Sequence, residues 1–122
     1  MRLKLLKSKI QGLRITGKEL FYDGSLQLDE SLLKAARIVP GEMVQVVNIN
    51  NGARFETYVI PAAEGSGTCA LKGAAARLGE VGDEIIVMSI GYFEATEVAG
   101  HQLVRVTVDK NNRIVKEETD GR

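Results

Sequence analysis

The chain has 122 residues, which is enough for one domain with a single hydrophobic core. Sixteen basic residues balance sixteen acidic ones and 44% of the residues are hydrophobic, a composition that excludes an intrinsically disordered chain. The zero net charge and the 5% of aromatic residues argue against nucleic acid as a partner, and one cysteine and one histidine exclude a disulfide framework and a multi-histidine metal site. Charged residues interrupt every apolar run, so we expect no membrane segment and a cytoplasmic location.

Short runs of β-branched residues predict strands along most of the chain. The run 85–88 is apolar on both faces of a strand, which favours a central position in a sheet. Asn51-Gly52 and Asn111-Asn112 each predict a hairpin turn, because these residues tolerate positive φ angles. The predicted strands are, in chain order, residues 3–10, 13–16, 43–49, 55–60, 84–90, 103–108 and 113–116.

Two segments have helical patterns. Residues 29–36 begin with Asp29, a good N-cap, and residues 73–78 predict a short helical turn that ends at Gly79. Residues 39–42 are predicted as a loop, and the tail after Lys116 as a frayed, solvated end. Residues 1–122 therefore predict one mainly β domain, a compact β-barrel with one or two short helices.

The motifs of common enzyme classes are missing, including the serine-hydrolase elbow, the zinc-protease helix, the P-loop and the dinucleotide fingerprint. His101 follows no recognisable catalytic pattern and is expected to be a solvated surface residue. Cys69 lies in an apolar setting, which is typical of a small core residue.

Four short segments stand out in combination, although each alone is typical of an ordinary turn, hairpin or solvated lysine. They contain Lys9, the sequence Tyr22-Asp23-Gly24-Ser25, residues 51–58 with Arg54, Thr57 and Tyr58, and Gly73-Ala74-Ala75-Ala76. Their types, order and spacing, with Gly65-Ser66 between them, resemble the pyruvoyl-dependent aspartate 1-decarboxylase family. The resemblance runs from Leu6 to about Ser89 and fades after Ile90.

The resemblance implies a fold, an assembly and a reaction. The fold would be a six-stranded double-psi β-barrel, and the assembly a homotetramer with active sites between subunits. The reaction would convert L-aspartate to β-alanine and CO2, supplying a precursor of pantothenate and coenzyme A. The electron sink would be a pyruvoyl group derived from Ser25, with no metal and no pyridoxal phosphate.

The family's maturation implies a cleavage of this chain between Gly24 and Ser25, into residues 1–24 and 25–122. The Ser25 hydroxyl would attack the Gly24 carbonyl, and β-elimination followed by loss of ammonia would leave the pyruvoyl group. Glycine suits this step because it reaches backbone conformations that other residues adopt only at a cost. The resemblance assigns Thr57 to this processing centre, as a donor to the oxyanion, and to substrate binding.

On the substrate side, the resemblance implies that aspartate forms a Schiff base through its amine and that Arg54 holds its β-carboxylate. Lys9 would supply a second positive charge, Tyr58 would return a proton to Cα, and the backbone of Gly73, Ala74 and Ala75 would lie against the substrate. Arg54 and Tyr58 share one face of a regular strand and Thr57 the other. A pocket that contains all three side chains therefore requires a kink in the strand, the end of the strand or a second subunit.

The sequence departs from the family at two positions. Lys72 occupies the place of a usual Asn, where a cation would either stabilise an oxyanion or repel Arg54 and Lys9, and Gln11 replaces a His found in some relatives. Two alternatives stay open from the sequence. One is an unprocessed, inactive β-barrel that acts as a binding or structural protein, and the other is a decarboxylase acting on glutamate.

Overall fold

A computed structural model describes residues 1–121 as a mainly β structure, as predicted. Among the described residues, no helix is long and apolar enough to cross a membrane. Two short 3-10 helices are present, Gly73–Leu78 and Ala95–Gly100. The other elements are, in chain order, β1 (Arg2–Arg14), β2 (Gly17–Glu19), β3 (Ser25–Asp29), α1 (Glu30–Ala36), β4 (Met43–Asn48), β5 (Arg54–Ala62), β6 (Cys69–Lys72), β7 (Glu84–Glu94), β8 (Gln102–Val108) and β9 (Ile114–Gly121).

The strands pair in the order β2-β6-β3-β5-β4-β7-β1-β8-β9. Three pairs are parallel, β1 with β8, β2 with β6 and β3 with β5, and the remaining pairs are antiparallel. The predicted central position of the run 85–88 is confirmed, because β7 lies between β4 and β1.

Alternating apolar positions of the strands, together with one face of α1, form the core. The predicted cap of α1 is confirmed, since the Asp29 carboxylate accepts a hydrogen bond from the Ser31 backbone N–H at 2.9 Å. Both hairpin predictions are confirmed, with Gly52 at φ 76° and Asn112 at φ 60°. The 3-10 helix over residues 73–78 ends at Gly79, also as predicted.

Two predictions about the strands were wrong. The chain after Lys116 is not frayed, because β9 continues to Gly121 and pairs with the whole of β8. The charged sequence of the tail does not reveal this strand, because the strand depends on pairing with β8 across the hairpin. The two weak strands near the N-terminus form one strand, β1, with a register shift between Ile10 and Leu13 where Gly12 adopts φ 90°.

The prediction for His101 was also wrong. The side chain is buried, with 7% of the residue exposed, and its ring lies 4.4 Å from the ring of Phe93. Its Nε2 lies 2.8 Å from the Leu6 carbonyl oxygen, within hydrogen-bond distance. This nitrogen therefore contacts β1 instead of water. Cys69 is fully buried as predicted, and burial raises the pKa of its thiol to about 12.

Candidate functional site

The Gly24-Ser25 bond lies where a loop enters the sheet. Residues 20–24 connect β2 to β3, and Ser25 is the first residue of β3. Only 1% of Ser25 is exposed, and its hydroxyl donates to the Asp23 carbonyl over a long 3.3 Å. A Cβ added to Gly24 would meet no atom within 4 Å. A buried, weakly held hydroxyl therefore lies next to an unobstructed glycine.

Strand pairing places four polar side chains in one row across β2, β6, β3 and β5. Ser25 pairs with Lys72 of β6, and Lys72 pairs with Glu19 of β2. On the other side of β3, Leu26 pairs with Val59, so the same register brings Ser25 level with Tyr58. Paired residues point to the same face of a sheet. We call Glu19, Lys72, Ser25 and Tyr58 the outer row.

Thr57 lies on the opposite face of β5. It is buried with its neighbour Val59, whereas Arg54 and Tyr58 are more exposed and alternate with it. The register of β5 against β4 is continuous from Arg54 to Tyr58, so the described strand has no kink that would turn Thr57 outward. Since Tyr58 is level with Ser25, Thr57 lies one residue before that level on β5, on the core face.

Two predicted substrate ligands lie away from Ser25 within one chain. Arg54 is four residues from Tyr58, which separates their Cα atoms by about 13 Å along an extended strand. Lys9 is on β1, and three strands, β5, β4 and β7, lie between β1 and β3 in the order of the sheet. Strand pairing within one chain therefore brings Ser25, Tyr58 and Lys72 together, whereas Lys9 is on a strand that pairs with none of theirs.

Gly73 packs directly against the loop that carries the Gly24-Ser25 bond. A Cβ at this position would lie 2.6 Å from Gly24 Cα and 2.7 Å from both the Gly24 nitrogen and the Tyr22 carbonyl oxygen. Gly73 also adopts φ 67°, a conformation that favours glycine. Of the next two residues, Ala74 is exposed and Ala75 is buried. Because residues 73–75 are small, the backbone of this turn can approach the backbone of the loop over residues 20–24.

Lys72 makes two contacts that the sequence did not predict. Its Nζ lies 3.0 Å from a carboxylate oxygen of Glu19 and 5.0 Å from the centre of the Tyr22 ring. The Lys72 side chain is 18% exposed, and that of Glu19 is 53% exposed. Sequence reasoning missed Glu19 because its role depends on the three-residue strand β2, which is too short to give a periodic signal.

The residue types around Ser25 suit covalent chemistry on the backbone. Within residues 1–121, no group of three or more His, Cys, Asp or Glu side chains could hold a metal ion. A carbonyl group formed from Ser25 would be planar and smaller than the serine it replaces, so it would fit within the buried position of that serine. The outer row places a phenol and an ammonium group near that position.

Comparison with known proteins gives one consistent result. A family model described as aspartate decarboxylase matches residues 1–115. The chain is 52% identical to the aspartate 1-decarboxylase of Caldicellulosiruptor saccharolyticus over 116 residues, which cover 95% of this chain and 91% of the relative. It is 46% identical to the aspartate 1-decarboxylase of Maricaulis maris over 115 residues, which cover 94% of this chain and 95% of the relative. The similarity thus continues well past Ile90, where the motifs alone had faded.

Proposed function

The chain belongs to the aspartate decarboxylase family, and from this membership we propose that it decarboxylates L-aspartate to β-alanine and CO2. Such a carboxy-lyase supplies the β-alanine from which pantothenate and coenzyme A are made. The observation that carries the proposal is the similarity over residues 1–115, together with a buried Ser25 in the outer row. We propose a cytoplasmic location, since aspartate is a cytoplasmic metabolite.

The proposed maturation begins with attack of the Ser25 hydroxyl oxygen on the Gly24 carbonyl carbon. The bond from Gly24 to the Ser25 nitrogen breaks, which leaves an ester and a free amine. Loss of the Ser25 Cα proton then expels the Gly24 carboxylate and yields dehydroalanine, and water replaces its nitrogen, which leaves as ammonia. Residues 1–24 and 25–122 of the one domain become separate chains. The weak hydrogen bond of the Ser25 hydroxyl favours this reaction, because little is lost when the oxygen turns toward Gly24.

Two residues would assist this attack. The Thr57 hydroxyl, on the core face next to the level of Ser25, would donate to the oxyanion that forms on the Gly24 carbonyl. Lys72, paired with Ser25, would add a positive charge on the opposite face. Thr57 and Lys72 would thus hold the Gly24 carbonyl from the two faces of the sheet while its carbon becomes tetrahedral.

The pyruvoyl group, once formed, supplies the electron sink that decarboxylation requires. The proposed task of Arg54 is to bind the substrate β-carboxylate through two parallel hydrogen bonds, and that of Lys9 is to add positive charge. Tyr58, level with Ser25, would hold the proton that returns to Cα. Gly73, Ala74 and Ala75, with Thr57, would line the substrate where small side chains permit close approach.

We propose a homotetramer with active sites between subunits, because three strands separate the strand of Lys9 from the strand of Ser25 within one chain. The outer face of the sheet also has an apolar surface suited to a second copy, with Met43 and Tyr92 exposed by 51% and 63%. A depression on this face is lined by Lys4, Met43, Gln45, Glu56, Met88, Ile90 and Tyr92. Within the nine-stranded arrangement, we propose a six-stranded double-psi barrel that includes the parallel pairs β1/β8 and β3/β5.

The test is β-alanine and CO2 formation from L-aspartate by the purified protein. We expect Ser25→Ala to abolish both. Ser66→Ala is a matched control, since Gly65-Ser66 is a second Gly-Ser pair but lies in an exposed loop. That variant should keep full activity. Failure of the parent to release CO2 from aspartate would overturn the proposal, and release from L-glutamate alone would reassign the substrate.

A further inference from the structure

The loop of residues 20–24 packs against the core at Leu20, but the residues nearer the bond that is to be cleaved have little packing of their own. Phe21 is 93% exposed and Tyr22 54% exposed. The backbone of Gly73 packs against the loop at Tyr22 and Gly24. An intramolecular attack is fast only when the reacting atoms are held near their reactive geometry. The loop therefore needs a contact that limits its movement away from β6.

Lys72 is placed to provide this contact. Its backbone pairs with Glu19, just before the loop, and with Ser25, just after it. Its side chain lies over the ring of Tyr22, within the loop, and its ammonium group forms an ion pair with Glu19. One side chain thus joins the strand before the loop to the loop itself.

We propose that Glu19 is a positioning residue for self-cleavage, which acts by fixing Lys72 over Tyr22 so that the Gly24-Ser25 bond is held for attack. The proposal rests on the proposed self-cleavage and extends it to a residue outside the reacting atoms. We call the three side chains of Glu19, Lys72 and Tyr22 the clamp. The carboxylate sets the direction of the lysine, and the lysine restrains the aromatic ring through a cation–π contact.

The clamp differs in a testable way from direct action of Lys72 on the oxyanion. If Lys72 acts only through its own charge, loss of the Tyr22 ring leaves cleavage at the parent rate. If Lys72 acts through the clamp, Glu19→Gln and Tyr22→Leu break the same link, so the double variant is no slower than the slower single variant. The double variant Glu19→Gln with Tyr22→Leu therefore separates the two roles.

The experiment measures the rate of cleavage of newly synthesised chains in a purified translation mixture. Glu19→Gln should slow cleavage about two- to five-fold, the effect of losing one partly exposed ion pair. Tyr22→Leu should slow it by a similar factor, and the double variant should be no slower than the slower of the two single variants. Glu80→Gln is the matched control, because Glu80 pairs with Lys18 of the same strand at the same 3.0 Å but is not part of the clamp.

Two further measurements, the salt dependence of cleavage and the activity per cleaved chain, distinguish positioning from a general loss of structure. High salt should slow cleavage of the parent toward the rate of Glu19→Gln and should leave that variant almost unchanged. Decarboxylation per cleaved chain should be equal in the parent and in Glu19→Gln, because Glu19 is outside the substrate site. If the parent cleaves and Glu19→Gln cleaves at the parent rate, or if the effects of Glu19→Gln and Tyr22→Leu multiply in the double variant, the clamp is wrong. If the parent itself never cleaves, the proposed function fails first.

Discussion

At the scale of single residues, Gly73 has the least freedom to change near the cleavage segment. Gly73→Ala would press a methyl group to 2.6 Å from Gly24 Cα and would also strain a backbone at φ 67°. We expect cleavage at least about ten-fold slower, from strain on the order of 1–3 kcal/mol at the reacting bond. Gly52→Ala is the control, since Gly52 has φ 76° but open space around it. Equal cleavage rates in the two variants would show that the contact with Gly24 has no role.

Arg54 and Tyr58 should show different kinetic defects. Arg54→Ala removes a charge-assisted, two-bond contact with the substrate and should raise KM by an amount equivalent to about 2–4 kcal/mol, with cleavage unchanged. Tyr58→Phe keeps the ring and loses the proton donor, so kcat should fall with KM nearly unchanged. Steady-state kinetics on fully cleaved protein measures both. The same defect in both variants would refute the separate roles.

The proposed reactive residues could be named from the sequence because their types and spacing are distinctive. They belong to short continuous segments, which can be identified without knowledge of the fold, and they are Ser25, Arg54 and Tyr58. Glu19 was not predictable, because its partner Lys72 lies 53 residues later and meets it only through parallel pairing of β2 and β6. His101 was mispredicted for the same reason, since its partner Leu6 is 95 residues away.

At the scale of elements, Asp29 fixes the junction of β3, α1 and the loop over residues 63–68. Its buried carboxylate accepts hydrogen bonds from Ser31 and from the backbone N–H groups of Gly65 and Gly67. Burial by itself raises the pKa of Asp29, but these hydrogen bonds, from the Ser31 side chain first, lower it below 3.8 overall.

This junction predicts a pH-dependent loss of stability. Because the pKa of Asp29 is lowered by folding, its contribution is complete above its unfolded pKa of 3.8 and disappears as the pH falls through the lower folded value. Asp29→Asn should cost about 2–3 kcal/mol of unfolding free energy near neutral pH. The difference from the parent should shrink below pH 3.8. Urea unfolding in the Ser25→Ala background, where every chain is intact, measures it, and a difference independent of pH would contradict this role.

Four strands of six or more residues followed from local pattern, namely β4, β5, β7 and β8. They have apolar alternation or, in β7, a run that is apolar on both faces, and the turns between β4 and β5 and after β8 carry Asn or Gly. β2, β3 and β6 have three to five residues each, and they exist because they pair with one another and with β5. Half of the residues of β9 are charged, and it forms because the edge of β8 is available to it.

At the scale of the whole molecule, the separation of Lys9 from Ser25 predicts that two subunits share each active site. Lys9→Ala and Ser25→Ala should each be inactive alone. In mixed oligomers made by co-expression, a site with Ser25 from one variant and Lys9 from the other is complete, so roughly a quarter of the sites should recover. An active site within one chain would give no recovery.

The central claim, that the chain converts its own Ser25 to the catalytic carbonyl, is tested most directly by intact mass under denaturing conditions. After incubation of the purified protein, we predict two species, residues 1–24 ending in a free carboxylate and residues 25–122. The larger should be lighter by one ammonia molecule than the same fragment with an N-terminal serine, and it should resist Edman degradation. A single intact chain, or a fragment that begins with an ordinary serine amine, would contradict the account.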